Sequence, residues 1–231
     1  MNNKTLAVVI VAGGSGLRMG SEIPKQFIKV NGAQIIEHTL QAFLECKLAQ
    51  KIVIVCNKDY IDHTKKLVSA ICAAVSIEVV AGGATRQLSV YEGLQKVSDF
   101  EYVMIHDAVR CCLSVEDIHK LYDALKVSAC ALGVRVNDTI KLADSESHAI
   151  VKTIDRQNLW HIQTPQAFKV ADIIEAHNQA LQSGYEATDD CAIAEKAGMV
   201  VKIVEGSYTN IKVTTPTDLI LAGEFLKGRR F

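Results

Sequence analysis

The sequence has no Cys-x-x-Cys pair among its seven cysteines, Cys46, Cys56, Cys72, Cys111, Cys112, Cys130 and Cys191, and an odd number cannot all pair within one chain. That excludes a self-contained disulfide framework and points to a reducing, cytoplasmic setting. The seven histidines never fall at His-x-x-x-His or His-Glu-x-x-His spacing, which removes the usual zinc signatures. No apolar run approaches the ~20 residues of a membrane span, so a soluble protein is expected. Nor is there an excess of one charge: 25 Lys and Arg face 26 Asp and Glu. Without a global field to recruit nucleic acid or an anionic membrane, neither is expected as a partner, and any anion site must be local.

What the chain does have is 49% hydrophobic residues over 231 positions, enough for a full core in one α/β domain spanning 1–231. It is organised around Leu6–Lys25. Leu6, Val8, Val9, Ile10 and Val11 form an apolar, mostly β-branched run that breaks at Ala12-Gly13-Gly14-Ser15-Gly16, as a buried parallel strand does on entering a loop. The run follows Lys4 but is at the short limit for a signal peptide and leads straight into glycines and Arg18, so it reads as the first strand. Glycines let backbone N–H groups come close to an anion, and Arg18 and Lys25 add positive charge on either side. Spacing excludes three competing motifs. No Lys follows a Gly in this segment, as a Walker loop requires. Gly14 and Gly16 begin a dinucleotide fingerprint, but Met19 occupies its third position. Leu17 stands where a nucleophile elbow needs Gly.

Strands and helices then alternate. Ile36, Leu40, Phe43 and Leu44 recur at helical spacing after an Asn31-Gly32 turn, and Lys51–Cys56 reads as a second buried strand. Asp59 is placed to cap a helix reaching about Ala74, and Ile77–Val80 reads as a third strand. This order predicts a doubly wound, mostly parallel sheet whose ligands bind beyond the carboxyl ends of its strands. Gly82-Gly83-Ala84-Thr85-Arg86 lies at such an end, before a helix marked by Val90, Leu94 and Val97. A helix N-terminus there would offer N–H groups to an anion or a base carbonyl, although an ordinary strand-to-helix turn has the same composition. Tyr102–His106 is a fourth strand, and the Asp107 after it suits a ribose hydroxyl or the shell of a Mg²⁺, or else simply caps local N–H groups. Ser114 with Asp117 reads as a capping box. After a fifth strand at Ala129–Val134, Thr139–Leu142 and Ala149–Ile154 flank a polar turn as a hairpin. A lone two-stranded ribbon is marginal in water, so this arm is expected to pack on a second subunit. Val170–Ser183 reads as a helix closed by Gly184, Thr188-Asp189-Asp190 opens another, Val200–Val204 is a strand, and Thr215-Pro216 starts a final helix.

Six stretches carry a resemblance. They are Ala12–Gly20 with Pro24-Lys25-Gln26-Phe27, Gly82–Val90, His106–Cys111, Asp138–Lys141 with Arg156, Leu159–Gln166 and Asn210–Pro216. In order and over nearly the whole chain, they resemble the sugar-phosphate nucleotidyltransferases, specifically the 2-C-methyl-D-erythritol 4-phosphate cytidylyltransferase family. The resemblance implies a Rossmann-like nucleotidyltransferase fold with a protruding β-hairpin arm, 137–160, exchanged between the subunits of a homodimer. It implies transfer of CMP from CTP to the sugar-alcohol phosphate, with release of pyrophosphate, in the non-mevalonate isoprenoid pathway. On this reading Arg18 and Lys25 hold the triphosphate and stabilise developing charge, while Arg156 and Lys212 hold the acceptor phosphate. Ala12, Gly13, Gly14, Gly16, Gly83, Ser89 and Ala108 bind the nucleotide. Asp107, Arg110, Thr139, Thr164 and Thr188 line the acceptor pocket, and Mg²⁺ or another divalent cation bridges the triphosphate with Asp107 as its protein ligand. Basic side chains rather than a nucleophile set suit this chemistry, which needs positioning and neutralisation above all. The chain departs from the family pattern at Ala84, where some members carry an acidic residue, and at Val109 and Cys111. Two rivals stand beside this reading: a ribitol 5-phosphate cytidylyltransferase, which shares the loop and much of the arm, and a non-catalytic CTP-binding regulatory module.

Overall fold

The computed structural model describes residues 4–14, 23–71 and 74–228. Gly16, Arg18 and Cys72 lie outside the described residues. In chain order the elements are β1 (Leu6–Ala12), β2 (Lys29–Val30), β3 (Ala33–Gln34), α1 (Ile35–Glu45), β4 (Lys51–Cys56), α2 (Ile61–Ser69), β5 (Ser76–Ala81) and α3 (Arg86–Gln95). They continue with β6 (Tyr102–Asp107), α4 (Val115–Leu125), β7 (Cys130–Arg135), β8 (Ile140–Ala143), β9 (Ile150–Ile154), β10 (Trp160–Lys169), α5 (Val170–Ser183), α6 (Asp190–Lys196), β11 (Lys202–Glu205) and α7 (Pro216–Phe225).

Among the described residues seven strands make one sheet, in the order β11-β7-β10-β6-β1-β4-β5. β1 lies at its heart, parallel to β4 on one side and β6 on the other, with Val9 opposite both Val53 and Ile105. Alternate residues of β1 feed two cores. Leu6, Val8 and Ile10 pack with α1 and α4 through Ile36, Leu40, Phe43, Ile118 and Leu121. Ala7 and Val9 pack on the other face with α3, α5 and α6 through Val90, Leu94, Ile173 and Ile193. A strand buried on both faces must be apolar throughout, which is why β1 and β4 read as unbroken hydrophobic runs. A third, smaller cluster joins Val30, Ile35, Val109, Cys111 and Val213 to Ala222 and Leu226 around α7, so both departures after Asp107 are apolar core residues.

Three sequence expectations change. α2 ends at Ser69, not near Ala74, and Asp59 is not its cap: Asn57 accepts from the Asp59 N–H and opens a 3₁₀ turn, Lys58–Tyr60, that runs into the helix. Ser114 accepts from the Asp117 N–H, which is one half of the expected capping box, while Asp117 Oδ2 has no partner among the described residues. The third difference is β10, absent from the sequence reading. It runs antiparallel to both β6 and β7 and so separates them. Its ladder slips between Ile162 and Gln166, around Pro165, a residue that cannot donate to a ladder and therefore disguises a central strand.

β8 and β9 pair only with each other among the described residues. Their residues are almost all exposed, Ile150 and Val151 included. The final helix starts as its sequence indicates, with a reciprocal capping box between Thr215 and Asp218 and Pro216 in the first turn. Gly184 closes α5 with φ of 66°, a left-handed position that glycine occupies without a Cβ penalty.

Candidate active site

In an open α/β sheet the ligand crevice forms at the carboxyl ends of strands where the strand order reverses, because successive connections there leave to opposite sides. Here that point lies between β1 and β6. A cavity of about 460 Å³ opens at it, lined by Ala12, Gly13, Gly14, Lys25, Gln26, Gly83, Ala84, Thr85, Arg86, Ser89, Asp107 and Lys212, together with Val11 and Val109. Residues 200 positions apart in sequence thus share one wall because β1, the start of α3, the end of β6 and the turn before α7 all finish at the same edge.

Each element fixes its side chains by ordinary backbone accounting. After the glycine loop, Pro24 leads into a 3₁₀ turn at Lys25–Phe27, and Gln26 Nε2 donates to the Ala12 carbonyl at 2.6 Å. That bond ties Lys25, which is 9% exposed, to the end of β1. Thr85 caps α3 by accepting from the Leu88 N–H. Ser89 Oγ bonds back to the Thr85 carbonyl at 2.9 Å, and an added Cβ on Gly83 would sit 2.4 Å from Leu88 Cβ. Only glycine permits this close crossing of chain and helix.

Asp107 is the electrostatic centre. Lys212 Nζ lies 2.7 Å from its Oδ2, and Arg86 Nε donates to its Oδ1 at 3.1 Å. Burial alone would raise its pKa, but Arg86 and Lys212, with Arg110 nearby, hold the carboxyl well below the usual carboxylate range. Those cations favour its anionic form. Arg86 in turn donates through Nη1 to Asp190 Oδ2 at 2.9 Å. Asp190 is fully buried and also faces His177 Nε2 at 3.3 Å.

A neutral hydrogen-bond chain backs Asp107. Burial pushes the His106 pKa down to about 3, so its ring is uncharged. His106 Nε2 lies 3.2 Å from the Arg110 carbonyl and must carry the proton. Nδ1 is then the acceptor for the Thr164 hydroxyl at 2.9 Å, and Thr164 Oγ1 accepts from the Asp107 N–H at 3.1 Å. His106 is therefore committed to structure and unsuited to accepting a substrate proton.

Of the residues singled out from sequence, the cavity gathers Ala12, Gly13, Gly14, Lys25, Gly83, Ser89, Asp107 and Lys212. Others stand behind or away from it. Ala108 is buried, its carbonyl accepting from Thr39 Oγ1 at 2.8 Å. Arg110 donates through Nη1 to the Asn210 carbonyl and so braces the loop that carries Lys212. Thr164 is buried behind Asp107, its hydroxyl oxygen accepting from the Asp107 N–H. Thr188 is exposed on the approach to α6. Thr139 and Arg156 belong to the exposed arm, where the Arg156 guanidinium bonds the Asn137 carbonyl. None of these six lines the cavity.

Both oxygens of Asp107 are engaged by cations, Oδ1 by Arg86 and Oδ2 by Lys212, so a metal ion taking it as a ligand would displace one of them. The site residues that sequence reasoning left without a task are Gln26, Thr85, Arg86 and Asp190. Arg86 closes the Gly82–Arg86 turn, but its two carboxylate partners are 21 and 104 residues away.

Comparison with known proteins agrees with this architecture. Residues 6–228 match the family described as IspD, 2-C-methyl-D-erythritol 4-phosphate cytidylyltransferase. A chloroplastic relative of that name from Oryza sativa is 42% identical, covering 99% of this chain and 77% of the relative. One from Clostridium perfringens is 44% identical over 95% of this chain and 97% of its own. Among solved structures, 4-diphosphocytidyl-2C-methyl-D-erythritol synthase from Anaerococcus prevotii superposes with a TM-score of 0.84 at 33% identity, covering 97% of this chain and 99% of that one. The Francisella tularensis cytidylyltransferase gives 0.80 at 32% identity, over 96% and 100% of the two chains. With a match this long and relatives this similar, the chain belongs to the 2-C-methyl-D-erythritol 4-phosphate cytidylyltransferase family.

Proposed function

We propose that this chain is an enzyme that transfers CMP from CTP to 2-C-methyl-D-erythritol 4-phosphate, releasing pyrophosphate, in isoprenoid biosynthesis. The observation that carries the reading is the cavity at the β1/β6 reversal, which gathers two lysines and the glycine edges of β1 and α3 within a chain of this family. Its volume suits a small-molecule ligand.

The acceptor phosphate is itself an anionic nucleophile and needs no general base, which fits a site whose buried histidine is neutral and already committed. One of its oxygens attacks the α-phosphorus of CTP in line, the bond from that phosphorus to the bridging oxygen breaks, and pyrophosphate leaves with the electron pair. Two anions must be brought together, so catalysis consists of neutralisation and alignment. Ala12–Gly14 with Gly83 and Ser89 hold cytosine and ribose, and Lys25, assisted by Arg18, receives the charge developing on the triphosphate. Lys212 holds the acceptor phosphate. Arg156 and Thr139 reach an acceptor from the arm of a second subunit, which makes the active form a homodimer. A divalent cation such as Mg²⁺ would supply further neutralisation of the triphosphate, and Asp107 is the carboxylate on the cavity wall that would face it. No helix among the described residues is long and apolar enough to cross a membrane, and with six described cysteines buried a cytoplasmic setting suits the chain.

The test is pyrophosphate release from CTP with each candidate acceptor. Turnover with methylerythritol phosphate is the expected result. Preference for ribitol 5-phosphate would replace the acceptor, and CTP binding without release would indicate a regulatory module instead.

A further inference from the structure

Asp190, Arg86, Asp107 and Lys212 form a line of alternating charge from the core to the cavity. Asp190 sits at the start of α6, where its own N–H and that of Cys191 both donate to Gln166 Oε1, at 2.9 and 3.0 Å. Gln166 belongs to β10 and also donates to Asp189 Oδ2 at 2.8 Å. A fully buried carboxylate is costly unless its partners are fixed, and these bonds fix this one against the sheet. Arg86 spans from it to Asp107, with Nη1 on the first carboxylate and Nε on the second. Only the planar guanidinium can hold two carboxylates in one such geometry. Asp107 Oδ1 is thereby occupied, leaving Oδ2 for Lys212 at 2.7 Å.

We infer that Arg86 is a positioning residue. Anchored by Asp190, it sets the rotation of the Asp107 carboxylate and through it the place of the Lys212 ammonium that receives the acceptor phosphate. Lys212 is 40% exposed at its side chain, and a lysine is flexible and strongly hydrated. Without a fixed counter-charge it would sample many positions around the rim. The inference rests on the functional reading above, and it separates Arg86 from a group that merely binds the nucleotide from the cavity wall.

Two variants test it. Arg86→Lys keeps the charge but cannot span both carboxylates. Arg86→Met combined with Asp190→Asn removes both charges together, so no buried ion is left alone and the fold survives should the single change disturb it. In each, Michaelis constants for both substrates are measured alongside the melting temperature. The constant for the acceptor should rise about tenfold in Arg86→Lys and further in the double variant, as for loss of one charge-assisted hydrogen bond. That for CTP should stay within about twofold of wild type. An unchanged acceptor constant in a folded variant, or a rise in both constants together, overturns the positioning role. Failure of the wild-type chain to turn over would overturn the functional reading instead, and the inference with it.

Discussion

The approach of α3 to the sheet can be tested with one methyl group. Gly93 lies in the middle of α3, where a Cβ would fall 2.5 Å from Val9 Cγ1 and 2.9 Å from Val55 Cγ2. Carbon atoms in contact prefer about 3.5–4.0 Å. Both valines are fully buried and, being β-branched, stiff at χ1. Helix propensity alone says that Gly93→Ala should stabilise by about 1 kcal/mol. Overpacking a tight core costs roughly 1–3 kcal/mol, and two clashes with rigid neighbours place this site at the upper end. The net loss should be about 1–2 kcal/mol, which for a chain of this length lowers Tm by roughly 2–8 °C. Relief by lifting α3 displaces Arg86 and Ser89, which it carries into the cavity. kcat/KM should therefore fall even at temperatures where the variant is fully folded. The measurements are a thermal melt and steady-state turnover at 25 °C. A melting temperature at or above wild type would refute the reasoning, since it would mean that propensity outweighs packing here.

Three further outcomes are expected. Lys25→Ala should lower kcat by roughly a hundred- to thousandfold, the usual effect of deleting one preorganised donor; an unchanged kcat would remove Lys25 from the mechanism. Asp190, held below its ordinary pKa against burial by Arg86 and His177, stabilises the fold fully above its unfolded pKa near 3.9, and that contribution fades as pH falls through the folded value. Wild type should thus exceed Asp190→Asn by roughly 3–5 kcal/mol in urea unfolding at pH 7, with the gap closing below about pH 4; a gap independent of pH would show that its charge is not what matters. Arg18→Ala and Arg156→Ala, each inactive alone, should regain roughly a quarter of wild-type activity when their subunits exchange, because half the dimers are then mixed and each mixed dimer has one intact site. No recovery despite proven exchange would place Arg156 in its own chain's site.

Much of this is legible in the sequence, for identifiable reasons. β1, β4 and β6 are buried on both faces and must be apolar, so their sequences declare them. The Thr215-Pro216 start of α7 and the Gly184 end of α5 are local chemistry, complete within a few residues. β10 is different. Its buried Gln163, Thr164 and Gln166 would be costly alone, and they are satisfied by Ser207, Asn210, His106 and the start of α6, at separations of 24 to 58 residues. No local pattern announces such partners. The same holds for the site: Gly13, Gly83 and Lys25 sit in motifs that look like phosphate loops, whereas the pairing of Arg86 with Asp190 exists only once the sheet has assembled.

The root of the arm has a consequence of its own. β7 and β10 meet at Arg135 and Trp160, where the guanidinium lies 4.5 Å over the indole ring, and the Val136 N–H donates to the Leu159 carbonyl at 3.1 Å. The two ends of the segment between them are thus stitched together before the arm begins. To the sheet, everything from 137 to 158 is a loop already closed, and its length enters the closure cost only as a slowly growing logarithm. The junction is a natural graft point. Arms of other lengths and compositions can be exchanged there, changing what is grasped, while the strands that carry Asp107 and the glycine edge keep their register.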